Sequence, residues 1–400
     1  MCNFHTIRNI YDLLRKKKHE SPRQLLVDVS VFWRRDAGTG IQRVVRALSR
    51  QLLDAQNEEY QIRFVAATRR RRYRYLDLCD RENLRFRPGG RVKIGAGDIF
   101  LGLDLSSRIL PKHKHQVMAW RKRGVRICVV IYDLLPVEHP EWFGNNHSTQ
   151  FENWLRFIGH YVDMALCISQ SVEESLKKWL KQEQISRADA IDIRNFPLGG
   201  DLSKSQPSIG ITEDNELALE LLKSHRYVLT VGTIEPRKGH AIALDAFDLL
   251  FAGEADDVPA LVIVGRSGWK TDDLQERIRG HKQLGKKLFW FDNASDELLD
   301  KLYDGCAGVL FPSLAEGFGL PVVEALMHHR PVLVRNLTVF RELGMPSISY
   351  FDEDSPTALA KAITDWLKRG RKTYGTGPHE IFTWKKSCDV LLRHLRVLIR

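Results

Sequence analysis

Short apolar runs rich in β-branched residues alternate with segments of helical periodicity along almost the whole chain. Leu25–Ser30 is the first run, and Ile41–Leu53 after it carries apolar residues at helical spacing. Strands buried on both faces of a parallel sheet read as continuous apolar runs and are connected by helices, so the alternation predicts an α/β fold. Further strands are expected at Arg63–Ala67, Ile99–Leu103, Val125–Ile131, Met164–Ile168, Ile191–Phe196, Tyr227–Val231, Leu261–Val264, Leu288–Phe291, Gly308–Phe311 and Pro331–Val334.

The alternation is interrupted over residues 203–225, where Ser, Pro, Gly and acidic residues precede a short helical run. A chain of 400 residues is too long for one ordinary core, so we place an interdomain linker in this stretch. Two Rossmann-like domains are therefore predicted, over residues 1–205 and 206–380, followed by a basic amphipathic helix over 381–400. Within the first domain, Ser171 and Glu174 have the spacing of a capping box that opens a helix.

The net charge of +11 is distributed unevenly along the chain. Residues 1–200 contain 35 Lys and Arg against 22 Asp and Glu, whereas residues 201–400 contain 26 against 28. A basic first half indicates either a solvated surface or an anionic partner, which is a nucleic acid, an anionic membrane surface or a phosphorylated substrate. The block Arg69–Arg74 is predicted to be an exposed loop, either solvated or in contact with acidic lipid or phosphate.

Cysteine usage and hydropathy indicate a cytoplasmic protein. The six cysteines are scattered without a CxxC pair, which is typical of a reducing compartment. Met1–Arg23 has no apolar stretch of signal-peptide length, and the longest apolar run, Ile127–Ile131, is far too short to span a bilayer. Any membrane contact is therefore expected to be peripheral, on the inner face of the plasma membrane.

The most specific motif runs from Glu316 to Glu324, just after a predicted strand. Its two glycines allow a tight turn, and Pro321 suits the first turn of a helix that starts near Leu320. The amides of Phe318, Gly319 and Leu320 would then point out of a helix N-terminus, which is an anion site. A carboxylate on each side supplies acceptors for hydroxyl groups, as a sugar and a ribose require.

A second motif, Val231–Gly239, follows the first strand of the second domain. Ligands of open α/β sheets bind outside the carboxyl ends of the strands, so this loop lies at the expected edge. Gly232 permits close approach, and Arg237 and Lys238 supply two cations suited to a diphosphate.

Three further strand ends contribute weaker candidates. Arg266 and Trp269 follow a strand in a Gly-containing loop and either line a nucleotide or simply pack. Gly38 and Gly40 belong to a short loop that does not match GxGxxG, because Arg43 stands in place of the last glycine. The backbone amides of this loop are candidates for a second phosphate clamp. Asp133 is either a helix cap or a carboxylate on the acceptor side.

Several other site types are absent from the sequence. It contains no GxxxxGK[ST], no HExxH and no Cys/His cluster with zinc-ligand spacing. Asp352 and Asp354 are interpreted as helix-capping residues, so no metal site is predicted. Phosphate charge is expected to be met by the cation pair and backbone amides.

These motifs resemble those of glycosyltransferase family four. Glu316 and Glu324 match its Glu-x7-Glu signature, and Ile234–Gly239 looks like its phosphate loop. The resemblance covers most of residues 225–345 and is looser over 25–200. Trp384 is similar to the residue of that family that opens a closing helix, which crosses back to the first domain.

The resemblance implies a GT-B fold, in which two Rossmann-like domains face each other across a deep cleft. The first domain would bind the acceptor and the second a nucleotide sugar, with no metal and no other cofactor. Arg237 and Lys238 would hold the diphosphate, Glu324 the ribose hydroxyls, and Glu316 with the amides of Phe318 and Gly319 the donor sugar. The implied catalytic set is Glu316, Arg237, Lys238 and Asp133, and the implied nucleotide-binding set is Gly38, Gly40, Gly232, Arg237, Lys238, Arg266, Phe318, Gly319, Leu320 and Glu324. Tyr132 stands where many members have His, which removes a readily protonated group.

Within this family, segments 38–43, 132–136 and 265–269 look like those of bacterial mannosyl- or rhamnosyltransferases of surface polysaccharides. The expected activity is transfer of a hexose with retention, mannose from GDP-mannose, to a lipid-pyrophosphate or polysaccharide acceptor in O-antigen, exopolysaccharide or capsule synthesis. The alternatives are a transferase of UDP- or dTDP-sugars, an epimerase, or a nucleic-acid-binding α/β protein. Carboxylates beside the anion site disfavour the last, because they repel a phosphate backbone. The sequence leaves the oligomeric state open.

Overall fold

A computed structural model of the chain describes residues 23–36, 38–55, 60–187, 189–201, 210–253, 257–369 and 381–398. The expectations for the N-terminal segment and for the domain boundaries at residues 205 and 380 lie outside the described residues. The rest of the chain forms two sheets with helices around them, as the alternation predicted.

The first sheet has eight strands in the order β4-β3-β2-β1-β5-β6-β7-β8. All neighbours are parallel except β3, which is antiparallel to both β2 and β4. The central strands β5 and β7 are buried along their whole length, which is why they read as unbroken apolar runs. The strands are β1 (Arg23–Asp28), β2 (Tyr60–Ala66), β3 (Arg74–Asp80), β4 (Arg85–Arg91), β5 (Ile99–Gly102), β6 (Arg126–Ile131), β7 (Met164–Cys167) and β8 (Asp192–Asn195).

The second sheet has six parallel strands in the order β11-β10-β9-β12-β13-β14. This is the order of a doubly wound dinucleotide-binding fold, in which the chain reverses direction between β9 and β12 and ligands bind outside that switch point. The strands are β9 (Tyr227–Val231), β10 (Ala260–Val264), β11 (Leu288–Phe291), β12 (Gly308–Phe311), β13 (Val332–Arg335) and β14 (Ile348–Phe351).

Thirteen α-helices connect and cover the two sheets in the described part of the chain. Short 3-10 turns at Leu110–His113, Pro140–Trp142 and Pro236–Lys238 precede or join some of them. The helices are α1 (Gly40–Asp54), α2 (Lys114–Lys122), α3 (Leu135–Glu138), α4 (Asn145–Tyr161), α5 (Gln170–Gln182), α6 (Glu213–Lys223), α7 (His240–Ala252), α8 (Asp272–Arg279), α9 (Asp296–Gly305), α10 (Leu320–Met327), α11 (Thr338–Arg341), α12 (Pro356–Arg369) and α13 (Trp384–Val397). None of them, over the residues described, combines the length and apolar character needed to cross a membrane.

The last helix, α13, packs against α1 of the first domain. Trp384 is 1% exposed and belongs to the first-domain core, which also takes in Phe318 and Val323 of the second domain. The backbone N–H of Trp384 donates to Asp201 Oδ1 at 2.7 Å. A Cβ on Gly199 would lie 2.3 Å from the Trp384 nitrogen, and one on Gly200 would lie 2.6 Å from Val323 Cγ1. The hydrophobic core therefore continues across the boundary between the domains.

Several elements differ from the sequence prediction. The hairpin β3–β4 and the edge strand β14 were not predicted, because β3 and β4 carry charged residues and the two middle residues of β14, Ser349 and Tyr350, are polar and only partly buried. Helix α5 is capped by Ser169 instead of Ser171: the Ser169 hydroxyl accepts from the backbone N–H of Val172 at 3.1 Å. The interpretation of Asp352 and Asp354 as helix caps was wrong. They contact Asn336 and Arg335, at 2.6 and 3.0 Å, and Ser355 accepts from the backbone N–H of Ala358.

Candidate active site

The loop between β12 and α10 has the shape that its glycines predicted, and contacts from the protein itself require them. Gly319 has φ +94°, and a Cβ there would lie 2.5 Å from Phe340 Cε1. A Cβ on Gly317 would lie 2.0 Å from the carbonyl oxygen of Tyr132 in the first domain. The Ser169 hydroxyl also donates to the Gly317 carbonyl, at 2.7 Å. The loop is therefore fitted against the first domain.

The first backbone amides of this loop and helix make no hydrogen bond within the described part of the chain. Among the residues described, the backbone N–H groups of Phe318, Gly319 and Leu320 have no hydrogen-bond acceptor. Unpaired amides at the start of a helix point in one direction and carry partial positive charge. These amides lie where the motif predicted an anion site, and that they bind a phosphate stays a prediction.

Glu316 lies at the centre of a buried charge cluster with the predicted cation pair. Lys238 Nζ lies 2.6 Å from Glu316 Oε1, and Arg237 Nη1 lies 3.1 Å from Oε2. Burial opposes ionisation of this carboxyl, but Lys238 and Arg237 outweigh it and hold its pKa below the usual value. Burial lowers the pKa of Lys238 in spite of Glu316. The three side chains are only 7–18% exposed and come from the ends of β9 and β12, which meet at the switch point.

Two further carboxylates surround Arg237. Glu235 Oε1 lies 2.7 Å from Arg237 Nη2 and is almost fully buried. Burial raises the pKa of Glu235 and of Asp133, and Arg237 opposes the rise in both cases. When all three carboxyls are ionised they exceed the two cations by one charge, so Arg237 and Lys238 are held in place without a bound anion.

Asp133 lies beside the start of α3 and next to the donor loop, and its role as a carboxylate on the acceptor side stays a prediction. Its Oδ1 accepts from the backbone N–H of Leu135 at 3.2 Å, at the start of α3. Its Cβ lies 3.2 Å from the position a Cβ would take on Gly317, so it also borders the donor loop. The Tyr132 hydroxyl instead donates to the carbonyl of Leu103 at 2.6 Å inside the first domain, and burial raises its pKa well above 10. Tyr132 therefore contributes its backbone, not its hydroxyl, to the boundary between the domains.

Glu324 is 1% exposed and is engaged from both domains. The Tyr303 hydroxyl donates to its Oε2 at 2.9 Å, and Arg43 Nη1 donates to its Oε1. Arg43 Nη2 also lies 3.1 Å from Asp296 Oδ1 at the start of α9. Arg43 belongs to α1, so one side chain of the first domain bridges two carboxylates of the second.

Sequence reasoning recognised Arg43 only as a residue that breaks a glycine pattern. A signal was present, because a cation in the first turn of a helix opposes the helix dipole and is favourable only when an acidic partner compensates it. His240 was also missed. It is 2% exposed, its Nε2 lies 3.1 Å from the Gly232 carbonyl oxygen, and burial lowers its pKa to about 4. It therefore adds no charge beside the cation pair at neutral pH.

The glycine loop of the first domain faces the second domain. The position of a Cβ on Gly38 lies 3.8 Å from Arg266 Nη2, and that on Gly40 lies 3.8 Å from Leu320 Cδ1. The Gly38 N–H, however, donates to Asp36 Oδ1 at 3.0 Å. A phosphate clamp at Gly38 would have to replace that bond, so this role stays a prediction.

The loop after β10 packs on the phosphate loop and reaches the first domain. A Cβ on Gly265 would lie 1.8 Å from the Gly232 carbonyl oxygen, so the two loops are in direct backbone contact. Trp269 Nε1 donates to the Trp142 carbonyl at 2.8 Å, and Lys270 Nζ to the carbonyls of Glu141 and Phe143 at 2.6 and 2.8 Å. Trp269 thus bridges the domains, whereas Arg266 faces Gly38.

Residues 213–375, which contain the cation pair, Glu316 and Glu324, match the protein family described as Glycosyl transferases group 1. This part of the chain belongs to that family. The resemblance stated from the motifs is confirmed, and the two facing sheets are those of the GT-B fold.

Several curated relatives of this chain are named as mannosyltransferases. The chain is 36% identical over 382 residues to the serotype-specific mannosyltransferase WbdA of Escherichia coli. The aligned residues cover 94% of this chain and 47% of WbdA. It is 29% identical over 219 residues to O-antigen chain mannosyltransferase B of Escherichia coli, covering 52% of this chain and 57% of the relative. The chain spans about half the length of the first of these relatives.

Solved structures of the same architecture are more distant in sequence. Anabaena Alr3699/HepE, determined in complex with UDP and glucose, superimposes with a TM-score of 0.63 at 14% identity, over 94% of this chain and 99% of that one. Sucrose-phosphate synthase from Thermosynechococcus elongatus gives a TM-score of 0.62 at 20% identity, over 94% and 99% of the two chains. At these identities the likeness concerns the fold.

No group of three or more His, Cys, Asp or Glu side chains in the described part of the chain is arranged to hold a metal ion. That a donor is bound without a metal stays a prediction.

Proposed function

We propose that this chain is a retaining glycosyltransferase that moves mannose from GDP-mannose to a polysaccharide or lipid-pyrophosphate acceptor in the synthesis of a surface glycan. The family of residues 213–375 and the relatives named mannosyltransferases support the reaction class and the sugar. The observation that carries the proposal is the meeting of Arg237 and Lys238 on one buried carboxylate, Glu316, in the loop that leads directly to the unpaired amides of residues 318–320.

The reaction requires charge stabilisation on the leaving group. Breaking the bond between sugar and phosphate builds oxocarbenium character on the sugar and negative charge on the diphosphate. Arg237 and Lys238 are held in place by Glu316 before any donor arrives, so little reorganisation is needed when the charge develops. We expect the cations to turn to the diphosphate while Glu316 accepts hydrogen bonds from donor-sugar hydroxyls. The departing phosphate oxygen takes the proton of the acceptor hydroxyl, so the step requires no metal and no dedicated protein base.

The ribose would bind at Glu324. Each carboxylate oxygen has two lone pairs, so Glu324 can accept from ribose hydroxyls while it keeps Arg43 and Tyr303. Arg43 then places a first-domain cation beside the nucleotide, which links donor binding to the contact between the domains.

A thermal-shift panel of GDP-, UDP- and dTDP-sugars tests the donor assignment. Stabilisation by GDP-mannose above the others is the expected result. A UDP-sugar is the second candidate, because the neighbour Alr3699/HepE was determined with UDP and glucose. The absence of stabilisation by every nucleotide sugar would refute the function. Product analysis with and without a mannan acceptor separates a transferase from an epimerase, because an epimerase alters the donor without acceptor.

A further inference from the structure

A basic pocket of the first domain has no part in the donor site. It has a volume of ≈ 420 Å³ and five Arg or Lys side chains in its wall, while the described residues that line it include no Asp or Glu. The cations come from the loops after β2 and β5 and from α2 and α4. We define the basic pocket by these side chains: Arg69, Arg108, Lys112, Lys114 and Arg156.

Most of this charge has no compensating partner. Arg156 pairs with Glu152 at 2.9 Å and with Glu183. No carboxylate among the described residues lies in salt-bridge contact with the other four cations of the basic pocket, all of which are exposed. Lys114 Nζ lies 4.3 Å from the ring centre of Tyr161, which fixes the direction of one of them. Like charges that share one concave surface repel each other, and an anionic ligand relieves that repulsion.

The basic pocket continues into the space between the domains. Arg108 also lines a neighbouring cavity of ≈ 740 Å³, together with Phe143 of the first domain and Trp269 and Lys270 of the second. The loop that carries Trp269 packs against Gly232 of the phosphate loop. A ligand anchored in the basic pocket can therefore extend through this cavity toward the donor site.

We propose that the basic pocket binds the phosphate or diphosphate of a phosphorylated acceptor, whose glycan lies in the interdomain cavity. The proposal rests on the proposed function, because it assigns the anchoring end of that reaction's acceptor. The phosphate-bearing ligand is the diphosphate end of the lipid-pyrophosphate acceptor named in the proposed function. A phospholipid headgroup has the same phosphate chemistry and is the competing source.

The test compares two variants that each lose three positive charges. The pocket variant carries Arg108→Gln, Lys112→Gln and Lys114→Gln. The control variant carries Arg85→Gln, Arg87→Gln and Arg91→Gln, which are exposed on the edge strand β4 and do not line the basic pocket. Geranyl diphosphate is the probe, titrated calorimetrically with GDP in excess so that the Arg237–Lys238 site is occupied, and geraniol is the uncharged comparison.

We expect the wild type and the control variant to bind geranyl diphosphate but not geraniol, and the pocket variant to bind it at least tenfold more weakly, since one charge-assisted hydrogen bond is worth about a factor of ten. Equal affinity in the pocket and control variants, or no binding to the wild type, overturns the proposal. Sedimentation with vesicles of 70% phosphatidylcholine and 30% phosphatidylglycerol distinguishes the source. If the pocket variant loses vesicle binding but keeps geranyl diphosphate binding, the proposal is also overturned, because the basic pocket then binds phospholipid headgroups.

The thermal shift caused by GDP is measured on the wild type, the pocket variant and the control variant. If GDP stabilises none of the three proteins, the proposed function is refuted. If GDP still stabilises the pocket variant while its binding of geranyl diphosphate is weaker, the result supports the assignment of the basic pocket.

Discussion

Arg237 is the side chain on which the proposed chemistry depends most directly. We expect Arg237→Gln to lower turnover with GDP-mannose by about a hundredfold or more, because removing one preorganised donor to a developing anion has an effect of this size. Arg277→Gln is the matched control, since Arg277 pairs with Asp245 and Asp248 on an exposed helical surface. Steady-state rates are measured on both folded variants. Unchanged turnover in Arg237→Gln would contradict the assignment of Arg237 to the leaving diphosphate.

The carboxyl groups around Arg237 give donor binding a predictable pH dependence. Burial raises the pKa of Asp133 and Glu235, and a diphosphate bound beside them raises each pKa further by repulsion. Binding then takes up protons, so the affinity for GDP should fall as pH rises through the pKa that these carboxyls have in the complex. Asp133→Asn should flatten this dependence, measured across the acidic and neutral range by titration calorimetry in two buffers of different ionisation enthalpy. An identical slope in wild type and variant would show that Asp133 does not take up the proton.

The contacts of Arg43 with the second domain could not be predicted from the sequence. Glu316, Glu324 and the cation pair could be predicted because each lies in a local motif next to a strand end. The bridge from Arg43 to Glu324 and Asp296 joins helices of different domains, and no local pattern specifies such a pairing. The same holds for Ser169, whose contact with Gly317 depends on how the two sheets face each other.

The loop from β12 to α10 acts as one element, and its contact with the first domain is testable. Gly317→Ala would place a methyl group 2.0 Å from the Tyr132 carbonyl oxygen, so the loop or the domains must move. We expect the affinity for GDP to fall at least tenfold. Gly90→Ala is the control, because nothing lies within 4 Å of the added methyl group there. Equal affinities in the two variants would mean that the loop adapts without disturbing the donor site.

Strands with continuous apolar runs were predicted almost to the residue, including the edge strand Leu288–Phe291, whereas the charged strands β3 and β4 were not. Tyr227–Val231, Leu288–Phe291 and Gly308–Phe311 have the bounds expected from their apolar runs. The hairpin β3–β4 lies at the edge of its sheet, where only part of each strand is covered, and β4 contains a Pro and two Gly that resemble a turn. Burial, which creates the sequence signal, is thus weakest where the prediction failed.

The two domains share one hydrophobic core through Trp384, and this should couple stability to donor binding. Trp384 packs in the cluster that contains Phe318 and Val323, and those residues belong to the loop and helix that present the anion-binding amides. Trp366 is also buried, at 3% exposure, but in a second-domain cluster that contains none of the proposed donor residues. Trp384→Ala and Trp366→Ala should each lower the free energy of unfolding by about 3–5 kcal/mol, as large-to-small core substitutions do. Only Trp384→Ala should also weaken GDP binding, measured by calorimetry below both melting temperatures, because the cavity that it leaves loosens α10 and the loop before it. If both variants bind GDP like the wild type, the shared core stabilises the fold without positioning the donor site.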